Sequence, residues 1–182
     1  MFSIFEKEDI SKKDITNLFM LIMISSGIFG FIYETIFYRI DLGYFVKRGS
    51  TYGPWIPIYV FGGLFITLLT YKYKDKPWMV FIIGTLVSGL LEYGTGYYLD
   101  KYMGIRLWNY YEEICNFGNI NGYICLRSAL FFGFSSLILI YLIIPFLLKY
   151  IKSVRRSYMS MISYMLFITF SFDFIMYLIL HR

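Results

Sequence analysis

The sequence contains little charge and few of the side chains that bind metals. Charged residues make up 16% of the chain, whereas 58% of it is hydrophobic. A soluble domain is about one quarter charged, because water must wet its surface. One histidine, His181, and two cysteines, Cys115 and Cys125, are too few for a His/Cys zinc cluster. We therefore expect no soluble enzyme, no metal site and no cofactor. A disulfide between the two cysteines is kept as an alternative.

Motifs for nucleotide hydrolysis and for common catalytic centres are also missing. No G-x-x-x-x-G-K-[ST] run occurs, so the chain does not carry its own phosphate-binding loop for ATP. Neither an H-E-x-x-H run nor a nucleophile elbow is present. An enzyme is therefore the least favoured reading of this sequence.

Long apolar runs dominate the chain instead. The hydrocarbon core of a membrane needs about 20 apolar residues of helix. The runs are continuously apolar and do not alternate, which favours helices over a barrel. We therefore predict an all-α fold, a single membrane domain that is a polytopic bundle of about five membrane-spanning helices with two structured outer loops. The predicted spans are 17–38, 53–71, 78–99, 123–148 and 158–180.

Lysine and arginine are distributed unevenly between the two predicted faces. One face holds Lys7, Lys12, Lys13, Lys72, Lys74, Lys76, Lys149, Lys152, Arg155 and Arg156. The other face holds Arg39, Lys47, Arg48, Lys101, Arg106 and Arg182. Because basic loops favour the cytoplasm, the first face and the N-terminus are predicted to be cytoplasmic. Basic residues between apolar runs set topology and meet anionic lipid, so we expect lipid contacts and no nucleic acid.

Four ionisable side chains fall inside the predicted spans. They are Glu34, Glu92, Arg127 and Asp173. At about 1.5 Å of rise per residue, each lies roughly 6 to 10 Å from the outer end of its helix. Charges at such depth face the bundle interior or a wet cavity. Two interpretations follow: a pocket open to the outer face with Glu34 and Glu92 as its floor, or polar contacts that only hold helices together. An acid left unpaired there should be protonated, bind a cation or face water.

Four sequence runs occur in an order that resembles a known family. They are KRGSTYGPWIPIYVFGG, LEYGTGYYLD, RLWNYYE and NINGYICLRSALFFG. They resemble the RG-x-x-YGP-x-x-PIY-G-x-G, L-E-x-x-T-G, W-D-Y and N-x-N-G-x-I-C-L blocks of the bacterial family called Putative ABC-transporter type IV. The resemblance extends from Glu34 to Gly133.

The resemblance implies a multi-pass protein of the bacterial cytoplasmic membrane. The family's patterned residues here are Glu34, Arg48, Gly49, Gly53, Pro54, Pro57, Tyr59, Glu92, Trp108, Tyr110, Asn119, Gly122, Cys125 and Leu126. Two positions depart from the family pattern: Asn109 stands where the family tends to have Asp, and Tyr123 where a basic residue is common. A role that those residues have in relatives is therefore not transferred to this chain.

Three functions are compatible with these observations. The first is a permease-like transport component without its own ATPase, and it would need a separate ATPase subunit or homo-oligomerisation. The second is a structural or regulatory membrane subunit. The third is an intramembrane enzyme for a lipid-linked substrate, with Glu34 or Glu92 as general base and Arg48 or Arg127 holding phosphate.

Overall fold

The computed structural model describes Phe5 and residues 8–180, and these residues form helices joined by loops. The structure is 75% helical, and the described residues contain no β-strand. The helices are α1 Lys12–Leu42, α2 Pro57–Thr70, α3 Pro77–Met103, α4 Leu126–Ser153 and α5 Arg156–Leu180. The predicted all-α fold is confirmed. Lys7, His181 and Arg182 lie outside the described residues.

Four of the five helices have the length and apolar character needed to cross a membrane: α1, α3, α4 and α5. Helix α2 has 14 residues and is followed by a single 3₁₀ turn, Tyr71–Tyr73. At about 1.5 Å per residue its α-helical part is about 21 Å long. The second span predicted at 53–71 is therefore a shorter helix than expected, and this difference shapes the site.

Local sequence signals begin and end the helices. Ser11 caps α1 by accepting a hydrogen bond from the Asp14 backbone, while the Asp14 carboxylate accepts one from the Ser11 backbone. That carboxylate also pairs with Arg156 at 3.0 Å, which ties the first turn of α1 to the first turn of α5. At the other end, Gly43 closes α1 with a φ of 80°, a conformation that favours glycine.

Helix α4 contains a π turn in its middle, at Leu139–Ile143. Pro145 follows two residues after its end and cannot donate a backbone hydrogen bond to the carbonyl of Tyr141. A wider turn at this point allows the helix to continue through the proline to Ser153. The apolar run predicted at 123–148 is therefore one continuous element with an irregular centre.

The helices alternate in direction, so the bundle has two different ends. The basic end carries the short, lysine-rich connection with Lys72, Lys74 and Lys76. The loop end carries the two long connections, 43–56 and 104–125. Apolar side chains fill the half of the bundle next to the basic end, including the fully buried Leu18, Ile22, Val80, Ile144 and Met159. The less densely filled half lies at the loop end.

The connection 43–56 descends into the bundle from the top of α1. The backbone N–H of Ile56 donates to the carbonyl of Gly27 at 3.2 Å. Gly27 precedes Leu42 by 15 residues, so the connection descends about 22 Å along α1. Because Pro57 then opens α2, this helix begins near the middle of α1 and covers only the half of the bundle next to the basic end.

Helices α1 and α2 approach closely where α1 has a glycine. The ring of Tyr59 lies directly over Gly30, in the space that a β-carbon would fill. A small residue such as this glycine lets a side chain of the neighbouring helix pack against the helix backbone. The contact fixes Tyr59 at the level where the descending connection ends.

We expect Gly30→Ala to lower the stability of the bundle by about 1 to 3 kcal/mol, because the added methyl group overlaps the Tyr59 ring. Gly94→Ala is the matched control, since a β-carbon there meets nothing within 4 Å. Thermal unfolding in detergent should show a loss for the first variant only. Equal midpoints for the two variants would contradict the packing described here.

A second contact lies at the basic end and is sensitive to pH. The Glu8 carboxylate accepts hydrogen bonds from the Tyr71 hydroxyl at 2.6 Å and from Lys74 Nζ at 2.5 Å. These hydrogen bonds, that of Lys74 first, lower the pKa of Glu8 below its usual value.

A lowered pKa in the folded protein means that the contact stabilises the fold above the unfolded-state pKa of about 4.3 and is lost as pH falls further. Hydrogen exchange of the backbone around Glu8 should therefore speed up relative to the α3 backbone when the pH drops below this value. Glu8→Gln should exchange quickly at neutral pH as well. A pH-independent protection factor in the wild-type chain would speak against this contact.

Candidate functional site

A cavity of about 460 Å³ opens between the helices at the loop end. We call it the chamber. All five helices and both long connections contribute to its wall, and apolar and aromatic side chains dominate the lining. The predicted Glu34, Glu92 and Arg127 all line it, and so do Arg48 and Tyr59 from the predicted loop motif. The structure therefore brings these five side chains to one cavity.

Glu34 of α1 is paired with an arginine from the descending connection. Arg48 Nη2 lies 2.9 Å and Nε lies 3.0 Å from Glu34 Oε2. The Arg48 guanidinium also lies over the Tyr38 ring, 3.5 Å from its centroid. Gly49, which follows Arg48, has a φ of 78°, so the connection turns here in a conformation that favours glycine. The turn presents the arginine toward the chamber.

A second ion pair joins the other long connection to α4. Arg127 Nη2 lies 2.6 Å from Glu113 Oε2, and the guanidinium lies over the Phe37 ring at 4.1 Å. The Tyr38 hydroxyl donates to the other carboxylate oxygen of Glu113. Burial raises the pKa of the Glu113 carboxyl above its usual value, although Tyr38 and Arg127 both donate to it.

Glu92 of α3 differs from the other two acids because its partners are neutral. The Tyr110 hydroxyl donates to one oxygen, and the Ser128 hydroxyl lies 3.0 Å from the other. Only 5% of Glu92 is exposed. Among the described residues it belongs to no ion pair. The chamber thus holds one buried carboxyl group without a cationic side chain.

A smaller cavity of about 50 Å³ continues from the chamber toward the middle of the bundle. We call it the inner pocket. Glu92, Tyr59 and Phe132 line both cavities, and the π turn of α4 contributes Leu139 and Ile143 to the far wall. Three serine hydroxyls in its lining, those of Ser26, Ser88 and Ser135, are buried and have no hydrogen-bond partner. The inner pocket therefore offers unused hydrogen-bonding groups beneath Glu92.

Asp173 does not join the chamber. Its carboxylate accepts three hydrogen bonds, from the backbone N–H groups of Tyr52 at 2.9 Å and Gly53 at 2.8 Å and from Trp55 Nε1 at 2.7 Å. Asp173 fastens the lower part of the descending connection to α5. Its distance from the end of the predicted span places Asp173 at the same depth as the other three charged residues. Its side chain, however, points from α5 toward the descending connection and not into the chamber.

The remaining loop-motif residues shape the two long connections. Pro57 begins α2, and Gly53 and Pro54 lie in the stretch that Asp173 fastens.

In the second connection Trp108 Nε1 donates to the Tyr123 carbonyl at 2.9 Å, and Asn119 Oδ1 accepts from Gly122 N at 2.7 Å. The Asn109 side-chain amide donates to the Glu112 carboxylate at 2.8 Å, the Tyr110 hydroxyl donates to Glu92, and Cys125 caps α4.

Cys115 and Cys125 are both free thiols, so the disulfide that the sequence left as an alternative does not form.

Sequence reasoning missed several chamber residues. Glu113 stands beside Glu112 in the run WNYYEE, and no local signal distinguishes the buried acid from the exposed one. The three inner-pocket serines have no motif around them. Within the described part of the chain, no three His, Cys, Asp or Glu side chains are grouped closely enough to hold a metal ion.

Comparison with known proteins gives one match. A family model described as Putative ABC-transporter type IV matches residues 19–178. The matched region contains every residue of the chamber and of the inner pocket. No curated protein and no solved structure matches the chain.

We expect Asp173→Ala to destabilise the protein by about 2 to 4 kcal/mol, because three donors would lose a buried anionic acceptor. Limited proteolysis should then cut within 43–56, and the same stretch should resist cleavage in the wild-type protein. Asp75→Ala, at an exposed position of the basic end, is the control and should leave both measurements unchanged. A resistant connection in the Asp173 variant would refute the fastening role.

Proposed function

Because the chain belongs to the Putative ABC-transporter type IV family, we propose that it is a permease-like transport component whose small-molecule ligand binds in the chamber. The family and the four long apolar helices make it a membrane protein related to transport. We further propose that it acts in the bacterial cytoplasmic membrane with its N-terminus in the cytoplasm.

The observation that supports this function best is the depth of the chamber. The descending connection reaches the level of Gly27, near the middle of α1, without helical hydrogen bonding of its own. Non-helical backbone at membrane depth is tolerated where protein buries it or where it lines a wet cavity. Half-length helices that begin at the bilayer midplane are a recurrent feature of transporter binding sites. Helix α2 begins in this way beside the chamber floor.

The chamber is reached from the loop end, while the other half of the bundle is closed. The apolar cluster around Ile22, Val80 and Ile144 fills the space between the chamber and the basic end. This arrangement corresponds to one half of an alternating-access cycle, in which a central site opens to one face at a time. The basic end, with its short lysine-rich connection, is the face at which a cytoplasmic partner would act.

Energy for transport would come from outside this chain. The sequence has no G-x-x-x-x-G-K-[ST] run, so a separate subunit would supply ATP hydrolysis in an ATP-driven system. Five helices are few for a complete transporter, and either such a partner or a second copy of the chain would complete the pathway. We favour the ATPase partner because of the family to which the chain belongs.

The proposal predicts that Thr95, on the chamber wall, is reachable from water at the loop end. We would replace the exposed Cys115 by serine, retain the buried Cys125, and introduce Thr95→Cys. A charged, membrane-impermeant thiol reagent should label this cysteine in intact cells, because the loop end is proposed to face outward.

Leu90→Cys is the matched control on the same helix. Leu90 is 74% exposed on the outside of the bundle, so a lipid-facing cysteine there should resist the charged reagent until the protein is denatured. Failure to label Thr95→Cys from either side of the membrane would overturn the proposed function. Labelling only in opened vesicles would reverse the proposed orientation.

A further inference from the structure

We infer that the chamber selects a ligand with a primary ammonium group on a small apolar or aromatic body, and that Glu92 is the counter-ion of this group. The inference rests on the proposed function, since it names the ligand class of that same chamber. It comes from the balance of charges, from the unused hydrogen-bonding groups and from the rings around Glu92.

The buried charges of the chamber do not balance. Three carboxyl groups, those of Glu34, Glu92 and Glu113, face the partly buried guanidinium groups of Arg48 and Arg127. Each arginine is taken by one of the other two acids, at 2.9 Å and 2.6 Å, which leaves Glu92. A buried carboxylate without a cationic partner is costly. A cationic ligand would remove this cost.

One further basic residue lines the chamber, but it does not neutralise Glu92. Lys47 is exposed at the rim, and its ammonium group lies over the Tyr52 ring at 4.9 Å from the centroid. It acts electrostatically on Asp173, which is outside the chamber. The positive charge that Glu92 lacks is therefore not supplied by this side chain.

The inner pocket supplies the hydrogen-bond acceptors that an ammonium group requires. An ammonium group is a three-way donor with no acceptor. Glu92 borders the inner pocket together with the unpartnered hydroxyls of Ser26 and Ser88, which are only 8% and 6% exposed as residues, and of Ser135. The pocket volume of about 50 Å³ is enough for a small head group. A carboxylate head group would meet Glu92 with the same sign of charge.

Aromatic rings surround the route to Glu92. Tyr59, Tyr110 and Phe132 line the chamber near this residue, and the Tyr59 and Phe132 rings are 5.3 Å apart. Ring faces attract cations within about 6 Å, and the chamber already uses this attraction for Arg48 and Arg127. The chamber volume of about 460 Å³ is of the size and apolar character that holds the body of a small ligand.

The test uses three probes of similar shape and different charge on the purified full-length chain in detergent at neutral pH. They are 2-phenylethylamine as the cation, 2-phenylethanol as the neutral analogue and phenylacetate as the anion. We expect the amine to bind most tightly and to raise the thermal midpoint. Glu92→Gln should reduce the preference for amine over alcohol by about 10- to 100-fold, since it removes the charge of the acceptor.

Two further variants keep the test independent of the fold of the Glu92 variant. Ser88→Ala removes an unpartnered hydroxyl. It should weaken binding of the amine about 3- to 10-fold and leave the affinity for the alcohol unchanged. Ser163→Ala is the matched control, because Ser163 is also buried but donates to the Met159 carbonyl at 2.8 Å, on α5. It should leave the affinity of all three probes unchanged.

Three outcomes would overturn the inference. They are equal affinity for the three probes, a preference for amine that survives Glu92→Gln, and a Glu92-dependent stabilisation by sodium chloride over choline chloride with no effect of the amine. The last would assign the site to an inorganic cation. Labelling of Thr95→Cys separates these results from failure of the proposed function, because an accessible chamber without amine preference refutes only the ligand class.

Discussion

The architecture depends on one constraint: a non-helical stretch of backbone lies deep in the bundle and must have its polar groups satisfied there. Asp173 meets part of this demand by accepting from the backbone N–H groups of Tyr52 and Gly53, and the Gly27 carbonyl accepts from Ile56. Because lipid supplies no hydrogen bonds, these contacts decide where the connection ends and where α2 begins. The chamber lies in the space that a full-length second helix would otherwise fill.

The charges in the chamber follow from the same arrangement. Arg48 arrives on the descending connection and meets Glu34, while the second long connection brings Glu113 to Arg127 and Tyr110 to Glu92. Each long connection therefore carries side chains into the bundle that the helices alone do not provide. The half of the bundle next to the basic end is packed with apolar side chains instead. The buried charged side chains and the open cavity therefore lie in the same half of the bundle.

Much of the fold could be predicted because lipid imposes a simple rule on composition. Continuous apolar runs located the helices, and the rule that buried charges face inward grouped Glu34, Glu92, Arg127 and Asp173 from the sequence. The rule fixes depth but not direction around a helix, and Asp173 accordingly faces the connection at 52–55 instead of the chamber. Pro54 and Pro57 indicated that a helix begins nearby, but no residue indicated that it begins near the middle of α1. Glu113 could not be separated from Glu112, because tertiary packing alone buries one of two adjacent glutamates.

The π turn at Leu139–Ile143 has a consequence for the two halves of α4. A π turn holds one residue more than an α turn, and each residue of an α-helix advances the side chains by about 100°. The segment Leu126–Ile138, which presents Arg127 and Ser128 to the chamber, is therefore rotationally offset from Ile144–Ser153, which presents Ile144, Leu147 and Ile151 to the apolar core. The two faces of this helix follow independent registers, and a single inserted or deleted residue between them would turn one face away from its partners without altering either sequence.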